Sequence, residues 1–428
     1  MIATLRNAWR VDDIRKKLLF VMFMILLYRL GNAVTVPYVD TALLSAYFQD
    51  MNNTILGLIN TMSGSALERA SIFALSIQPY INASIIIQLL TVAIPALENL
   101  RKDGGEEGKK KIEKITRYST IGIAALQGYG YYALINQNNM LDPNATGLFP
   151  PIVIVATFMT GSALLMWMGE QITEFGIGNG ISVILFVSIV SRFPTSVGVM
   201  IQSVIAAPRN WWIYTLMMLG ALAIVVLIVI VNASERRIPV QYSKRVVGRK
   251  MYGGQSTHLP MKVNMSGVLP VIFAQSIASI PATVVVFVPR WANSPVMDWF
   301  DTTSIFYAIL YFLLIVFFSY FYSTVQFNPI EIANNLKKNG GFIPGFRAGK
   351  PTSEFIQRVL TKITLFGALY LAIVAITPIL IASFSQTARA TGIQLGGTSI
   401  IIVVSVALET IKQLESQLLM RHYKGFLE

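Results

Sequence analysis

Residues 70–95 read ASIFALSIQPYINASIIIQLLTVAIP, an apolar stretch long enough to cross a bilayer, for which about 20 residues suffice. The stretch nevertheless carries Gln78, Pro79, Asn82 and Gln88. A helix that faced lipid on all sides would leave these amides without partners, which is costly where no water is present. The proline also removes a backbone donor and tends to kink a helix. We therefore expect this span to face protein or a water-filled path.

The composition of the whole chain indicates a membrane protein. Of its 428 residues, 54% are hydrophobic and only 13% are charged, whereas soluble domains have about a quarter of their residues charged. The absence of cysteine excludes disulfides, thiol nucleophiles and cysteine metal sites. The two histidines, His258 and His422, both lie in polar stretches, which leaves little for metal binding or general-base chemistry.

Ten apolar spans follow one another along the chain. Their approximate bounds are 18–36, 71–95, 118–135, 152–169, 181–190, 212–232, 268–288, 305–325, 363–384 and 398–414. The first span could imitate a secretory signal peptide, but its apolar character resumes after Arg29 and no convincing small-residue cleavage site follows. We interpret it as a retained span.

The distribution of basic residues predicts the orientation of these spans. With the amino terminus inside, the inside segments hold 28 of the 34 Lys and Arg residues. The outside loops hold only Arg69, Arg192, Arg209, Arg290 and Arg389. Membrane proteins concentrate basic residues in cytoplasmic loops, so the net charge of +13 needs no nucleic-acid partner. We predict that both termini are cytoplasmic.

The ten spans divide into two halves of five, residues 1–200 and 201–428. Because five is odd, the second half must be inverted relative to the first, an arrangement common in transport folds with the pathway at the repeat interface. In this register the second span corresponds to the seventh, and both contain prolines and polar side chains. In the seventh these are Pro270, Gln275, Ser276 and Pro281.

The external segment between the first two spans reads NTILGLINTMSGSA from residue 53 to residue 66. It is too short to span the membrane and too apolar for an ordinary loop. A re-entrant half-helix fits this pattern, because irregular backbone at membrane depth survives only where it is enclosed by protein or lines a cavity. An amphipathic helix lying on the outer surface is the alternative.

Ionisable residues are scarce within the spans. The second, third and sixth to ninth spans contain no Asp, Glu, Lys or Arg; elsewhere Arg29 lies in the first span, Glu170 and Glu174 at the inner end of the fourth, and Glu409 in the tenth. Intramembrane charge usually marks ion-coupled transport, but a structural pairing suits Glu409 better. No GxSxG, His-Glu-x-x-His or GxxxxGK[ST] motif occurs, so neither an enzymatic activity nor a cofactor is expected.

Two large inside loops, 234–266 and 327–362, interleave basic residues with aromatic and β-branched ones. An ordinary positive-inside loop is one interpretation. The other interpretation is a docking surface for a cytoplasmic partner. That partner could be ribosomal RNA, because contacts with phosphate groups dominate the affinity of proteins for nucleic acids.

Five stretches resemble a known family. They read ASIFALSIQPYINASIIIQLLT (70–91), MGEQITEFGIGNGIS (168–182), GGQSTHLPMKVNMSGVLPVIF (253–273), GGFIPGFRAGKPT (340–352) and GGTSIIIVVSVALE (396–409). These ungapped stretches, in family order over essentially the full length, resemble the SecY family of channel subunits of the bacterial Sec protein translocon. The resemblance implies an all-α, polytopic fold of ten transmembrane helices, in two inverted five-helix halves around a central pore. The implied function is a gated channel that passes unfolded secretory polypeptides across the bacterial cytoplasmic membrane and releases signal sequences or transmembrane segments laterally into it.

The resemblance also implies a pore constriction formed by a ring of aliphatic side chains. At its positions stand Ile77, Ile81, Leu185, Ile189, Ile272 and Ile402. Such a ring could dewet and close around a passing chain without favouring one sequence. Leu185 replaces an expected isoleucine, an exchange that should preserve the seal. Without the resemblance, core or lipid contact would be the default for each of these residues.

A plug and a lateral gate are implied as well. The plug position covers about 53–67 and includes Asn53, Ile55, Leu58, Ile59, Met62, Gly64 and Leu67, with Glu68 and Arg69 near its hinge. The gate would lie between the second and third spans on one side and the seventh and eighth on the other. Candidates for polar contacts at the gate are Asn82, Gln88 and Gln275, although Gln88 could instead pack against another helix.

The resemblance assigns docking roles to residues of the two inside loops. They are Arg236, Arg237, Lys244, Arg245, Arg249, Lys250, Arg347 and Lys350, with Arg347 at the position that the family uses most critically. The implied partners are the small membrane subunits SecE and SecG, the SecA motor ATPase, the ribosome with its RNA, signal-sequence-bearing polypeptides and membrane lipids.

Two other functions stay open from the residues alone. An ion-coupled secondary solute transporter with inverted repeats would need a buried ion site, and the charge-free spans weigh against it. A scaffold that only packs against other membrane subunits would leave the polar second span unexplained.

Overall fold

The computed structural model describes residues 6, 8–50, 57, 60, 63–102, 104–143, 145, 147–206, 211–242, 245–247, 250–252, 256–281, 284, 299–300, 304–384 and 397–424. These residues are mainly helical. The helices are α1 Asp12–Ala33, α2 Thr41–Asp50, α3 Gln78–Ala93, α4 Pro95–Lys102, α5 Gly105–Gln137, α6 Phe149–Phe175, α7 Gly180–Ala206, α8 Trp211–Ala233, α9 Leu269–Ala278, α10 Ile305–Gln326, α11 Pro329–Lys338, α12 Lys350–Phe384 and α13 Gly397–Lys424.

Each of the ten predicted spans overlaps one of these helices, namely α1, α3, α5 to α10, α12 and α13. Within the described part of the chain, five helices are long and apolar enough to cross a membrane, and α3 with α4 would form a sixth, broken span. The prediction of a helical, polytopic membrane protein is confirmed. The division into inverted halves at residue 200 stays a prediction.

The stretch 70–95 is not one continuous helix. Residues 63–77 form a series of turns, and α3 begins only at Gln78. Pro79 therefore lies in the first turn of α3, where a missing N–H leaves no hydrogen bond unmade, and it starts the helix without kinking it. The sharp bend lies instead at the break between α3 and α4, where the two helices meet at 103° just before Pro95.

Distant backbone groups hold the turns at 63–77 in place. The Val36 N–H donates to the Ala70 carbonyl at 2.8 Å, and the Ile72 N–H donates to the Val34 carbonyl at 3.0 Å. These bonds form a short antiparallel bridge between the end of α1 and the turn segment. A helix cannot form here without breaking the bridge, which explains why the apolar pattern alone predicts too long a span.

The turn segment also has an unusual backbone. Ser65, Ala70 and Ser76 have φ values of 66°, 45° and 53°, a region that residues with side chains seldom adopt. The surrounding structure must impose this conformation, and such strain is common near functional sites. On its other side, the backbone of Ile72 lies directly against Gly161 of α6.

A small β-sheet joins the two large inside loops. Its strands are β1 Glu235–Tyr242, β4 Ser256–Lys262 and β5 Gly341–Phe342, in the order β4-β1-β5, while β2 Arg245–Val247 and β3 Lys250–Tyr252 form a separate two-stranded sheet. Both partners of β1 are antiparallel to it. The buried Ile238 and Val240 alternate with exposed neighbours, the period-two pattern typical of a strand.

The described apolar core has one large cluster and several smaller ones. The large cluster draws on α1, α3, α6 to α10, α12 and α13. A second cluster packs α2, α5 and α6 around residues 67–75. A third lies beneath the sheet and fixes it to α12 through Ile238, Val240 and Ile356. The sheet is therefore an attached structural unit of the protein.

Candidate functional site: an aliphatic cluster beside a polar-anchored segment

All six predicted constriction residues are buried and lie in one cluster. Their exposed fractions range from 0% to 9%, and every one belongs to the large apolar cluster. They come from four helices: α3 with its N-terminal flanking residue, α7, α9 and α13. The residues are Ile77, Ile81, Leu185, Ile189, Ile272 and Ile402. The structure therefore brings together side chains that are up to 325 positions apart in the sequence.

Helical geometry explains how pairs of these side chains share a face. Leu185 and Ile189 are four residues apart on α7, so they lie one above the other on the same side. Ile272 lies in α9, and residues 270–276 of this helix are all buried, so protein surrounds this part of the helix. Aliphatic side chains carry no hydrogen-bonding groups. What they can do together is exclude water and ions.

Of the plug position at 53–67, the structure describes residues 57, 60 and 63–67. Asn53, Ile55, Leu58, Ile59 and Met62 lie outside the described residues.

The described plug residues, Gly64 and Leu67, pack between α7 and α5. Gly64 has φ +69°, and a Cβ there would lie only 2.9 Å from the Ser188 carbonyl of α7. Leu67 is buried, and its carbonyl accepts a hydrogen bond from the Tyr131 hydroxyl of α5. Contacts to two helices therefore fix the base of the plug position.

A buried hydroxyl group links this base to α1 and α7. The Tyr28 Oη atom of α1 lies 2.6 Å from Ser188 Oγ and 3.3 Å from the Ser63 carbonyl oxygen. The ring of Tyr28 stacks on Phe73 with centroids 5.8 Å apart. The sequence alone does not point to Tyr28 and Ser188, because only the fold shows that a tyrosine in the first span and a serine in the fifth meet at one point.

A carboxylate forms a second anchor of the same segment. The Asn60 Nδ2 group donates to Glu68 Oε2 at 2.7 Å, and the Glu68 N–H donates back to Asn60 Oδ1 at 3.2 Å. Arg192 Nη2 of α7 lies 3.9 Å from the same Glu68 oxygen. Asn60 is fully buried, while Glu68 and Arg192 are partly buried. Glu68 was predicted near the plug hinge, whereas Arg192 was counted only as an external loop charge.

The predicted gate residues lie on two helices that contact each other, α3 and α9. Asn82 and Gln88 are half-buried on α3, and Gln275 is buried on α9. Gln88 Nε2 donates to Ser84 Oγ on its own helix at 3.2 Å, and its buried Oε1 atom has no hydrogen-bond partner among the described residues. The assignment of these three amides to a gate stays a prediction.

The predicted docking residues are presented by the sheet and a nearby turn. Arg236 and Arg237 are exposed on β1, and Arg347 and Lys350 are exposed after β5. Arg245 and Lys250 lie on β2 and β3, while Lys244 and Arg249 are outside the described residues. Pairing of β5 with β1 ties the segment that carries Arg347 to the same sheet. Basic residues from both loops are therefore attached to one structural unit.

Glycines shape the turn that carries Arg347. Gly345 and Gly349 flank it with φ values of +88° and +104°, which glycine adopts without strain. The Thr352 hydroxyl donates to the Arg347 carbonyl at 2.7 Å and closes the turn. The guanidinium group is left exposed to solvent.

Of the carboxylates near the ends of the spans, Glu170 takes part in a described ion pair. Glu170 of α6 accepts from Arg117 of α5 at 2.8 Å. Among the described residues, no group of three or more His, Asp and Glu side chains is arranged to hold a metal ion.

Comparison with known proteins gives one consistent result. A family model described as SecY matches residues 71–411. The protein translocase subunit SecY of Streptomyces coelicolor is 44% identical over 442 residues, and that of Mycobacterium bovis is 40% identical over 447 residues. Both alignments cover 100% of this chain and 100% of the relative.

Solved structures show the same fold. A structure described as a protein conducting channel has a TM-score of 0.68 and 18% identity, and Sec61 in the canine ribosome-channel complex from the endoplasmic reticulum has a TM-score of 0.64 and 16% identity. Each alignment covers 94% of this chain and 92% of the other. On the family model and the full-length relatives, the chain belongs to the SecY family.

Proposed function

We propose that this chain forms a gated protein-conducting channel in the bacterial cytoplasmic membrane. It passes unfolded secretory polypeptides across the membrane and releases signal sequences or transmembrane segments laterally into the lipid. The observation that carries this proposal is the meeting of six aliphatic side chains from four helices in one buried cluster, beside a segment anchored by polar contacts. Family membership supports it independently.

The aliphatic cluster serves as the constriction of the channel. At rest its side chains contact one another, and a narrow apolar passage dewets and blocks ions. When a polypeptide enters, contacts with that polypeptide replace contacts between the side chains. Apolar packing is not directional, so the constriction accepts many sequences. This property suits a channel for secretory proteins of varied sequence.

The segment at 53–67 serves as the plug that seals the outer side at rest. Gly64 and Leu67 at its base pack closely against α7 and α5, which supports this role. A structurally similar SecY protein, with a TM-score of 0.65 and 17% identity, is described as having a plug domain that stabilises the closed state and maintains a membrane seal.

The lateral gate opens between α3 with α5 and α9 with α10. The first pair belongs to the half at 1–200 and the second to the half at 201–428, so opening requires the two halves to part. Polar side chains such as Asn82, Gln88 and Gln275 weaken the apolar contact at this boundary. A signal sequence that enters between these two pairs of helices contacts lipid on one side and protein on the other.

The chain acts together with other molecules. SecE and SecG are its small membrane partners, and the SecA motor or the ribosome docks on the exposed basic residues of the sheet and the Arg347 turn. Docking on this face agrees with the positive-inside distribution, which leaves both termini cytoplasmic. No enzymatic activity or cofactor is assigned to the chain, so the energy for movement comes from these partners.

Reconstitution tests the proposal. The chain, with its small subunits, is placed in vesicles and supplied with the motor, ATP and a secretory precursor, and protease protection of the precursor is measured. We expect protection that persists when ionophores collapse the sodium and proton gradients. Absence of protection under all conditions, or uptake of a small solute that depends strictly on an ion gradient, would favour the secondary transporter.

A further inference from the structure

We propose that Arg101 holds the inner end of the lateral gate closed by bonding to the last turn of α10 from the other side of the gate. This inference rests on the proposed function and adds one positioning residue to it. We call the contact between the Arg101 side chain and the Val325 carbonyl the inner latch. It lies apart from the three predicted gate amides, which are on α3 and α9.

The bend after α3 brings Arg101 to α10. Helix α4 leaves α3 at 103°, so the chain turns sharply at the inner end of the span. Near the end of α4, Arg101 Nη2 donates to the Val325 carbonyl oxygen at 3.4 Å. The two residues are 224 positions apart, one in the proposed half 1–200 and the other in the proposed half 201–428. When the two halves part, this contact must break.

Pro329 explains why the Val325 carbonyl is available to a distant donor. In a continuing α-helix this carbonyl would accept from the N–H of residue 329. Proline has no N–H, so that bond cannot form. The backbone at Phe327 and Asn328 is extended, so α10 has already ended there. Carbonyl groups at the end of a helix need partners from outside it, and the guanidinium group from α4 supplies one.

The charge of Arg101 suits this position as well. The carboxyl-terminal end of a helix carries a partial negative charge, which nearby cations stabilise. Helix α10, which is described over its whole length, has no basic residue in its last turn. Arg101 therefore supplies from α4 a charge that α10 itself lacks.

The contact is weak enough to be opened by a substrate. Arg101 is exposed, so water competes for its guanidinium group and salt screens its charge. A cation at an exposed helix end changes an equilibrium by a factor of about two to five. A signal sequence that enters the gate can therefore displace the inner latch. Without the latch, the equilibrium between the closed and open gate shifts toward opening, and a less apolar segment suffices to enter.

Partitioning of model transmembrane segments tests the inner latch. The reconstituted protein receives precursors that carry segments of graded hydrophobicity, and the ratio of segments inserted into lipid to segments translocated is measured. We expect Arg101→Gln to raise this ratio about two- to five-fold for segments of intermediate hydrophobicity. Arg101→Lys keeps a charged donor on a long side chain, so its ratio should stay close to that of the unmodified protein.

Lys109→Gln is the matched control. It removes the same charge from the same inner part of the chain, but Lys109 pairs with Glu106 on its own helix α5 at 3.2 Å. We expect this variant to leave the ratio unchanged. Arg101→Gln and Lys109→Gln should both melt with the unmodified protein, because the two side chains are exposed. A purely structural role of Arg101 would instead lower the melting temperature and leave the ratio unchanged.

A crosslink tests whether the halves must part at this point. The natural chain contains no cysteine, so Arg101→Cys with Val325→Cys can be joined by a bifunctional thiol reagent about as long as an arginine side chain. We expect the joined protein to lose insertion of transmembrane segments. Arg117→Cys with Glu170→Cys is the control, because the same reagent then joins α5 to α6 within one proposed half, at the site of a 2.8 Å ion pair. Insertion should continue in this control.

Two results would overturn the inference. One is a ratio for Arg101→Gln that equals the ratio for Lys109→Gln. The other is insertion through the protein crosslinked between positions 101 and 325 that equals insertion through the control crosslink. If the unmodified protein neither inserts nor translocates any precursor, the proposed function fails, and this outcome is distinct from both.

Discussion

Gly161 of α6 offers a sharp test of how the turn segment is positioned. A Cβ added there would lie 1.9 Å from the Ile72 carbonyl oxygen and 2.8 Å from its carbonyl carbon. An ordinary contact needs 3.4 Å, so the two backbones would have to part by about 1.5 Å. The atoms in conflict belong to the backbone, which cannot rotate away as a flexible side chain would.

The cost of Gly161→Ala follows from two opposing terms. Overpacking in a well-packed interior costs about 1–3 kcal/mol. Alanine in place of glycine within a helix returns up to about 1 kcal/mol. We expect a net loss of about 1–2 kcal/mol, with the displacement passing to Phe73 and to the Tyr28 ring stacked on it. The resting ion leak should therefore rise as well.

The matched control is Gly122→Ala on α5. Nothing outside its own helix lies within 4 Å of a Cβ at this position, so only the gain in helix propensity applies. Thermal unfolding of the purified proteins in detergent, followed by the fluorescence of the six tryptophans, compares the two. We expect Gly161→Ala to melt below the unmodified protein and Gly122→Ala at or above it. Equal melting of Gly161→Ala and Gly122→Ala would refute the close approach of α6 to the turn segment.

Three further predictions concern the constriction, the docking surface and a peripheral ion pair. Ile402→Asn should raise the resting vesicle conductance, because an amide hydrates an apolar constriction, whereas Ile402→Val should leave it near the original value. Arg347→Ala should weaken binding of the motor or ribosome in a pull-down without lowering the melting temperature, since the side chain is exposed. Glu170→Gln should change the free energy of unfolding by less than about 1 kcal/mol, because the pair with Arg117 is partly exposed to solvent and weak; a larger loss would show that this pair is structural.

Hydropathy predicted the helices well, and the role of the six aliphatic residues as a constriction stays a prediction. Long apolar stretches specify helices in a membrane largely by themselves, because every backbone group must be paired within the segment. Ile77, Ile81 and Ile402 could be placed because they lie in long motifs that resemble the family. The structure then adds that all six predicted constriction residues share one buried cluster.

Features that depend on distant partners could not be predicted in this way. The turns at 63–77 exist because the backbone near Val34 competes with helix formation, and hydropathy does not register that competition. The full three-stranded sheet could not be predicted from local sequence, because β1 pairs with the nearby β4 and also with β5, about 100 residues further along the chain. Tyr28 and Ser188 show no periodicity that connects them, and only the fold brings their hydroxyl groups together.

The polypeptide path through the aliphatic cluster can be measured directly by site-specific crosslinking. A photoreactive residue is placed at Ile81 or Ile189, and a secretory chain is stalled midway through translocation. Control probes at Leu222 and Val226 lie on the exposed face of α8. The account predicts strong labelling of the stalled chain from Ile81 and Ile189 and only background from the two controls. Labelling from the cluster that does not exceed the controls would contradict the account.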